Sequence, residues 1–296
     1  MSGPDRLDAE WRARHPLPPI VTGLDKNERG RVLIVGGSRF VPGAVALTAE
    51  AALRVGGGKV QIATIAEAAL AIGLAFPEAA VIALPTDDEG EIDGAAADLI
   101  AKHAAHCDSL VIGPGMAECA HSCGLIDTAC RAMPEAARLI LDAGALTACR
   151  NRAALQGANR LDMVMTPHHG ELASLLDIDR DKIADDPEAA AARAAQLLGV
   201  TVALKDCRTL IVEPSGAALA FEGGAAGLGT AGSGDVLAGV IGGLAARGLP
   251  GAQAAAWGVW LHAEAGRQAG ADIGTLGFLA RELLPRLPAI VARASG

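Results

Sequence analysis

The chain has 296 residues, 51 % of them apolar and 20 % charged, with a net charge of −9. That is enough apolar side chain for a large buried core, as one big domain or two small ones. The acidic balance, the absence of a basic run and 2 % aromatics with no Tyr exclude nucleic acid and anionic membrane surfaces as expected partners.

The N-terminal stretch MSGPDRLDAEWRARHPLPP has no apolar h-region and does not read as a signal peptide. Residues 1–22 are expected to form a loose leader ahead of one domain over 23–296. RVLIVG (31–36) reads as a strand ending in glycine, and 42–58 as a helix with a Gly stop. KVQIAT (59–64), a helix near 66–73 and AAVIALP (79–85) follow. Then come a helix over 94–105, DSLVIG (108–113), a helix over 119–132 and ARLILDAG (137–144). LDMVMTP (161–167) is a strand, with helix from about 169 and again over 188–199. VTVALK (200–205), TLIVEP (209–214) and ALAFEG (218–223) lie close together, as in a meander at a sheet edge. From 235 onward the chain reads as mostly helical. Strands that are continuous apolar runs, alternating with helices, imply an α/β fold: a mostly parallel central sheet with helices on both faces.

No apolar run approaches the ~20 residues of a membrane span, and the chain reads as cytoplasmic. Six cysteines are spread along it. Cys119 and Cys123 flank His121, but no second ligand pair stands at zinc spacing, so they read as packing thiols.

In such sheets ligands bind beyond the carboxyl ends of the strands. Those ends carry GGSRFVPGA (36–44), GPG (113–115), GAL (144–146), TPHHGE (166–171) and KDCRT (205–209). Glycines and polar groups thus converge on one rim, as expected for a phosphate-rich ligand held by backbone amides.

The segment GLGTAGSGDVL (227–237) adds a glycine cluster before one carboxylate, Asp235. Gly227, Gly229 and Gly232 match the dinucleotide fingerprint. That reading needs a preceding strand and an acidic residue ~20 positions later, and residues 236–263 contain no Asp or Glu. The P-loop pattern is also absent, since Val60 follows Lys59 in GGGKV. GSGD fits better as the start of a helix over 235–247. Gly232, Ser233 and Gly234 would present free amides to an anion at its N-terminus, where they could stabilise a transferring phosphoryl group. Asp235 is then either a catalytic base or a first-turn acid of the kind common at helix starts. The helix terminus is expected to lower its pKa.

Taken together and in order, GGS with the GA pair, GPG, LDA, TPHHGE, a Lys-led loop and AGSGDVLAG (231–239) resemble the ADP/ATP-dependent NAD(P)H-hydrate dehydratases of the ribokinase-like superfamily, from about residue 26 to 270. The resemblance implies repair of hydrated NADH or NADPH: the nucleotide phosphorylates the ring hydroxyl, and phosphate is then lost. It implies Asp235 as the base, with Gly232, Ser233 and Gly234 as the anion hole. Ala44, Gly115 and His168 would contact the hydrated dinucleotide. Lys205, Asp206, Cys207, Arg208 and Thr209 would hold ADP or ATP. Glu171 would help place Mg²⁺ through water, or else cap the helix that starts there. His168 or His169 could instead bond the strand-end backbone. A homo-oligomer, a tetramer by analogy, is implied, with a separate epimerase as functional partner.

The sequence departs from the family at three places. Asp206 stands where the loop usually has glycine, Ala117 where many relatives have glycine, and Gly144 where Asp is more frequent. Two other functions keep the same residues in view: a small-molecule kinase of the same fold, such as one for a thiamin precursor, and a non-catalytic nucleotide-binding protein. Trp257 and Trp260 read as one packed helix face, and His262 as a satisfied core or interface histidine.

Overall fold

The computed structural model describes residues 3–19, 23–117, 119, 121–150 and 152–295. Among these described residues, ten strands form one sheet. They are β1 (Asp5–Arg6), β2 (Arg31–Val35), β3 (Lys59–Ile65), β4 (Ala80–Leu84), β5 (Ser109–Ile112), β6 (Arg138–Leu141), β7 (Asp162–Met165), β8 (Thr201–Leu204), β9 (Arg208–Val212) and β10 (Ala218–Glu222). Twelve helices accompany them: α1 (Ala9–Arg14), α2 (Ala44–Arg54), α3 (Ala66–Ala75), α4 (Ala97–Ala104), α5 (Ser122–Ala132), α6 (Gly144–Ala148), α7 (His169–Leu176), α8 (Arg180–Asp185), α9 (Pro187–Leu198), α10 (Ser233–Ala246), α11 (Gly251–Asp272) and α12 (Leu287–Ser295).

The strand order is β1-β10-β9-β8-β7-β6-β5-β2-β3-β4. Every pairing is parallel except those of β9, which runs antiparallel to β8 and β10. The chain builds outward from β2 to β4, then returns to lay β5 against β2 and builds the other way. The strand order therefore reverses between β2 and β5, which opens a crevice at their carboxyl ends.

Side chains alternate across the sheet, as strand geometry requires. Leu33 and Val35 join Leu110, Leu139, Met163 and Val202 in a core shared with α4, α5, α7 and α9. Val32 and Ile34 face the other way with Val111, Ile140, Val164 and Ala203, toward α2, α10 and α11. The helix ends carry local signals. Pro187 opens α9, Asp186 accepts from the Ala189 amide, and Gly199 closes the helix in the left-handed conformation.

α10 is unusual, because its sequence SGDVLAGVIGGLAA has poor helix propensity and yet nearly all of it is buried. Its glycines are contact points. A Cβ on Gly239 would strike the Thr48 carbonyl and stand 2.8 Å from Ala51 Cβ, and one on Gly243 would stand 2.5 Å from the Ala52 carbonyl. α10 thus lies directly on α2, and packing rather than propensity holds it.

The N-terminal segment corrects the expectation of a loose leader. β1 pairs with β10, and Leu7, Trp11 and Leu17 are buried. Trp257 Nε1 donates to the His15 carbonyl at 2.7 Å, and the Arg12 guanidinium lies 4.2 Å above the Trp260 ring. Three well-spaced apolar anchors outweigh the polar composition between them. Residues 1–2 and 20–22 of that segment lie outside the described residues.

Candidate active site

The loops after β2 and β5 form one wall of the crevice. The Gly37 amide donates to the Pro114 carbonyl at 2.7 Å. Gly115 has φ +70°, and a Cβ there would stand 2.5 Å from the Val41 carbonyl and 2.8 Å from Ala44 Cβ. Only glycine permits this approach. Ala44 and Gly115, two expected substrate contacts, are therefore neighbours. Glu91, buried behind them, accepts from the Ala117 amide at 3.1 Å and fixes the GPGMA loop. Gly144, one of the family departures, is required here: a Cβ would come 2.5 Å from the Met116 carbonyl.

The start of α10 forms the floor. Gly232 is its N-cap at φ +86°, with no side chain capping the turn. The amides of Gly232, Gly234 and Asp235 find no protein acceptor among the described residues, whereas Ser233 N–H donates to the Thr230 carbonyl at 3.2 Å. Ser233 therefore drops out of the expected amide cluster, and Asp235 N–H joins it. The Ser233 hydroxyl meets His262 Nε2 at 2.9 Å. Burial, above all, holds His262 down to about 4, so it is a neutral core histidine, as expected.

Asp235 departs from expectation in its charge. Its pKa is pushed up to about 7, first by burial and then by the nearby Asp142 carboxylate; Lys205 opposes the shift, and Glu171 adds to it. The helix terminus alone would have lowered it. A carboxylate in this range is a far better proton acceptor at neutral pH than an ordinary one.

Asp142 was not singled out from the sequence. It follows β6, is almost wholly buried, and accepts from Thr166 Oγ1 at 2.6 Å and from Lys205 Nζ at 2.9 Å. The next residue, Ala143, holds φ +46° without being glycine, which is strain of the kind found at functional turns. Lys205 Nζ also lies 3.6 Å from Glu171 Oε2. Burial works against the Lys205 charge, but Asp142 and Glu171 outweigh it and raise its pKa. Asp142, Glu171, Lys205 and Asp235 thus form one charged cluster over the first turn of α10.

The other expected residues divide. His168 is the N-cap of α7: its Nδ1 accepts from the Glu171 amide at 3.1 Å, and Glu171 Oε2 accepts from the His168 amide at 2.7 Å. This reciprocal capping box realises the capping alternative for Glu171, while the exposed His168 ring bonds the first turn of α7 rather than the strand-end backbone, with its Nε2 3.7 Å from Glu171 Oε1. Within the loop after β8, only Lys205 points to the cluster. Arg208 turns outward to Glu188 at 2.8 Å and Glu222 at 3.4 Å. Thr209 Oγ1 donates to the Asp206 carbonyl at 3.0 Å, and Cys207 is exposed. Asp206 replaces the usual glycine without positive φ. Its Oδ1 accepts from the Cys207 amide at 2.7 Å, and its Oδ2 lies 3.3 Å from His169 Nε2.

Among the described residues no group of three or more His, Cys, Asp or Glu side chains is arranged to hold a metal ion. In the charged cluster, Lys205 Nζ fills the space between Asp142 and Glu171. Gly227, which opens the GLGTAG stretch, is structural: it packs so tightly on the Phe278 ring that no side chain fits. A cavity of about 740 Å³, bounded in part by Leu53, Phe76 and Arg247, lies at the far end of α10. The twelve helical steps from Asp235 to Arg247 place it ~18 Å from the cluster.

Comparison with known proteins agrees with this geometry. The family model described as NAD(P)H-hydrate dehydratase matches residues 32–289. An ADP-dependent (S)-NAD(P)H-hydrate dehydratase of Xanthomonas campestris is 45 % identical, over 99 % of this chain and 99 % of its own length. A solved ribokinase-like superfamily protein of Enterococcus faecalis shares the fold, with a TM-score of 0.84 at 24 % identity, covering 99 % of this chain and 97 % of its own. The ADP/ATP-dependent NAD(P)H-hydrate dehydratase of Bacillus subtilis, co-crystallised with ATP/Mg²⁺, superposes with a TM-score of 0.79 at 25 % identity, over 99 % of both chains. The fold is ribokinase-like, and the chain belongs to the NAD(P)H-hydrate dehydratase family.

Proposed function

We infer that the protein is an ADP- or ATP-dependent dehydratase that returns hydrated NADH and NADPH to the reduced cofactors. The family match and the relatives' activities support this. The observation that carries the residue assignment is Asp235: a half-buried carboxylate with its pKa pushed up to about 7, set at a helix start where the amides of Gly232, Gly234 and Asp235 are free. In this reading Asp235 takes the proton of the ring hydroxyl as its oxygen attacks the terminal phosphorus of the nucleotide. The amides of Gly232, Gly234 and Asp235 meet the charge on the transferring phosphoryl group. Phosphate is a far better leaving group than hydroxide: it departs with the C–O electron pair, and loss of a proton from the adjacent ring carbon to water then restores the ring double bond.

Ala44, Gly115 and the exposed ring of His168 line the dinucleotide side. Lys205 meets the phosphates, and the turn 206–209 borders the nucleotide. Mg²⁺ would come with the nucleotide, keeping most of its waters and reaching Glu171 through one of them; when bound it neutralises phosphate charge. The "(S)" in the Xanthomonas relative's name supports a stereospecific step, and hence a separate epimerase for the other hydrate. Six unpaired cysteines support a reducing, cytoplasmic location, and exposed Leu70, Leu74 and Leu276 support a homo-oligomer, by family analogy a tetramer.

The test is recovery of reduced-nicotinamide absorbance from hydrated NADH with Mg²⁺ and ADP or ATP. The expected result is recovery by the wild type and a loss of about 10³-fold or more in Asp235→Asn. No recovery with either nucleotide refutes the activity; recovery that survives in Asp235→Asn refutes the base.

A further inference from the structure

Lys205 is the one cation among three carboxylates, and its choice of partner decides what Asp235 can do. An ammonium free to move would pair with Asp235 and hold it as an ion pair, unable to accept a proton. The structure shows the other outcome. Lys205 Nζ is bonded to Asp142 Oδ1 at 2.9 Å and lies 3.6 Å from Glu171 Oε2. Asp235 makes no hydrogen bond that contributes to its charge state, only burial and through-space interactions with Asp142, Lys205 and Glu171. Asp142 is itself anchored: Thr166, wholly buried, donates to the same oxygen at 2.6 Å, and Gly113 packs on the Asp142 carbonyl with no room for a side chain. The second oxygen of Asp142 faces α10. A Cβ on Gly234 would stand 3.9 Å from Asp142 Oδ2 and 3.5 Å from Lys205 Nζ. The ammonium is thus held close to Gly234, at the helix start.

We propose that Asp142, fixed by Thr166, is a positioning residue for the dehydration: it holds the Lys205 ammonium close to Gly234, where the phosphoryl group passes, and away from Asp235, which is left free to take the proton. The proposal rests on Asp235 being the base. In holding the ammonium Asp142 acts through Lys205, beside its own through-space effect on Asp235. Its effect is therefore felt where charge develops, in kcat, more than in nucleotide binding.

The experiment measures kcat and KM for ADP or ATP, whichever is used, in Asp142→Asn, Lys205→Met, Thr166→Val and the Asp142→Asn/Lys205→Met double variant, with thermal melts as a folding check. Asp142→Asn should lower kcat by about 100-fold with KM changed by less than about threefold. The double variant should be no more than about threefold worse than Lys205→Met, because both changes remove one arrangement. Thr166→Val should lower kcat by about three- to tenfold in the wild-type background, and not further in Lys205→Met.

A folded Asp142→Asn with wild-type kcat overturns the proposal. So do losses that multiply in the double variant, or a defect confined to KM. If Asp142→Asn does not fold, Thr166→Val decides in its place: a loss that persists undiminished in the Lys205→Met background overturns the proposal. Asp235→Asn, run alongside, separates the two levels. An inactive Asp235→Asn with a fully active Asp142→Asn defeats the positioning role alone, whereas an active Asp235→Asn removes the base on which it rests.

Discussion

At the scale of single residues, the pKa of Asp235 links chemistry and stability. The carboxylate is raised from its ordinary 3.8 to about 7, so it is protonated, and useless as a base, below neutrality. kcat/KM is expected to rise with pH to a half-maximum near 7 and to fall about tenfold per pH unit on the acid side. A profile already flat by pH 5 would show that Asp235 is not the titrating base. The linkage runs the same way. A raised carboxyl stabilises the fold most below its unfolded pKa, and that contribution is lost as pH rises through about 7. The working, ionised form is therefore the less stable one. Asp235→Asn should abolish activity and yet raise the melting temperature at pH 8 by about 2–5 °C. Calorimetry at pH 5 should show a smaller gain. AGSGDVLAG could be read as the start of a helix with an acid in its first turn, because capping and dipole effects act within a few residues. The Asp235 pKa could not, since it depends first on burial and then on Asp142, which follows β6 in a distant part of the chain.

At the scale of elements, α10 is the helix on which the site depends. Its free amides point into the crevice because Gly232 turns left-handed before it, and its axis is set by direct contact with α2. Gly239→Ala would force a methyl group against the Thr48 carbonyl and Ala51. Overpacking of this kind costs about 1–3 kcal/mol. Urea titration should show the lowered midpoint, and activity should fall with it as the floor of the crevice shifts. The sequence marked α10 as helical and glycine-rich, but not why the glycines were there. The partner backbone is some 190 residues away in the chain. The loop after β8 shows the same limit. The order of residues grouped Lys205 with Asp206–Thr209 as one nucleotide-binding stretch. The hairpin geometry sends Lys205 into the charged cluster and Arg208 out to Glu188 and Glu222.

At the scale of the whole molecule, the sheet places its working loops where the strand order reverses, and the N-terminal segment adds β1 to the β10 edge and packs into the core that holds α10 and α11. Trp11 is buried, stacks on His15 at 4.4 Å between centroids, and belongs to the core that contains α10 and α11. Trp11→Ala should destabilise the whole fold by about 3 kcal/mol. That loss should appear as a single cooperative shift in the denaturation curve, with no separate early transition. An early transition of the N-terminal part alone would mean that it docks independently.

The sequence by itself determined the architecture and the rim on which a candidate site would lie. Apolar runs alternating with helical segments dictate a buried parallel sheet, and glycines at strand ends dictate a rim of exposed amides, because both follow from local periodicity and backbone sterics. The motif order was enough to suggest the family. Only the tertiary structure decided the electrostatics. Asp142, Glu171, Lys205 and Asp235 come from four separate segments, and their charges matter because burial removes the water that would screen them. Whether a carboxylate is a spectator or a base depends on which charges the fold places beside it, and no window along the chain contains that information.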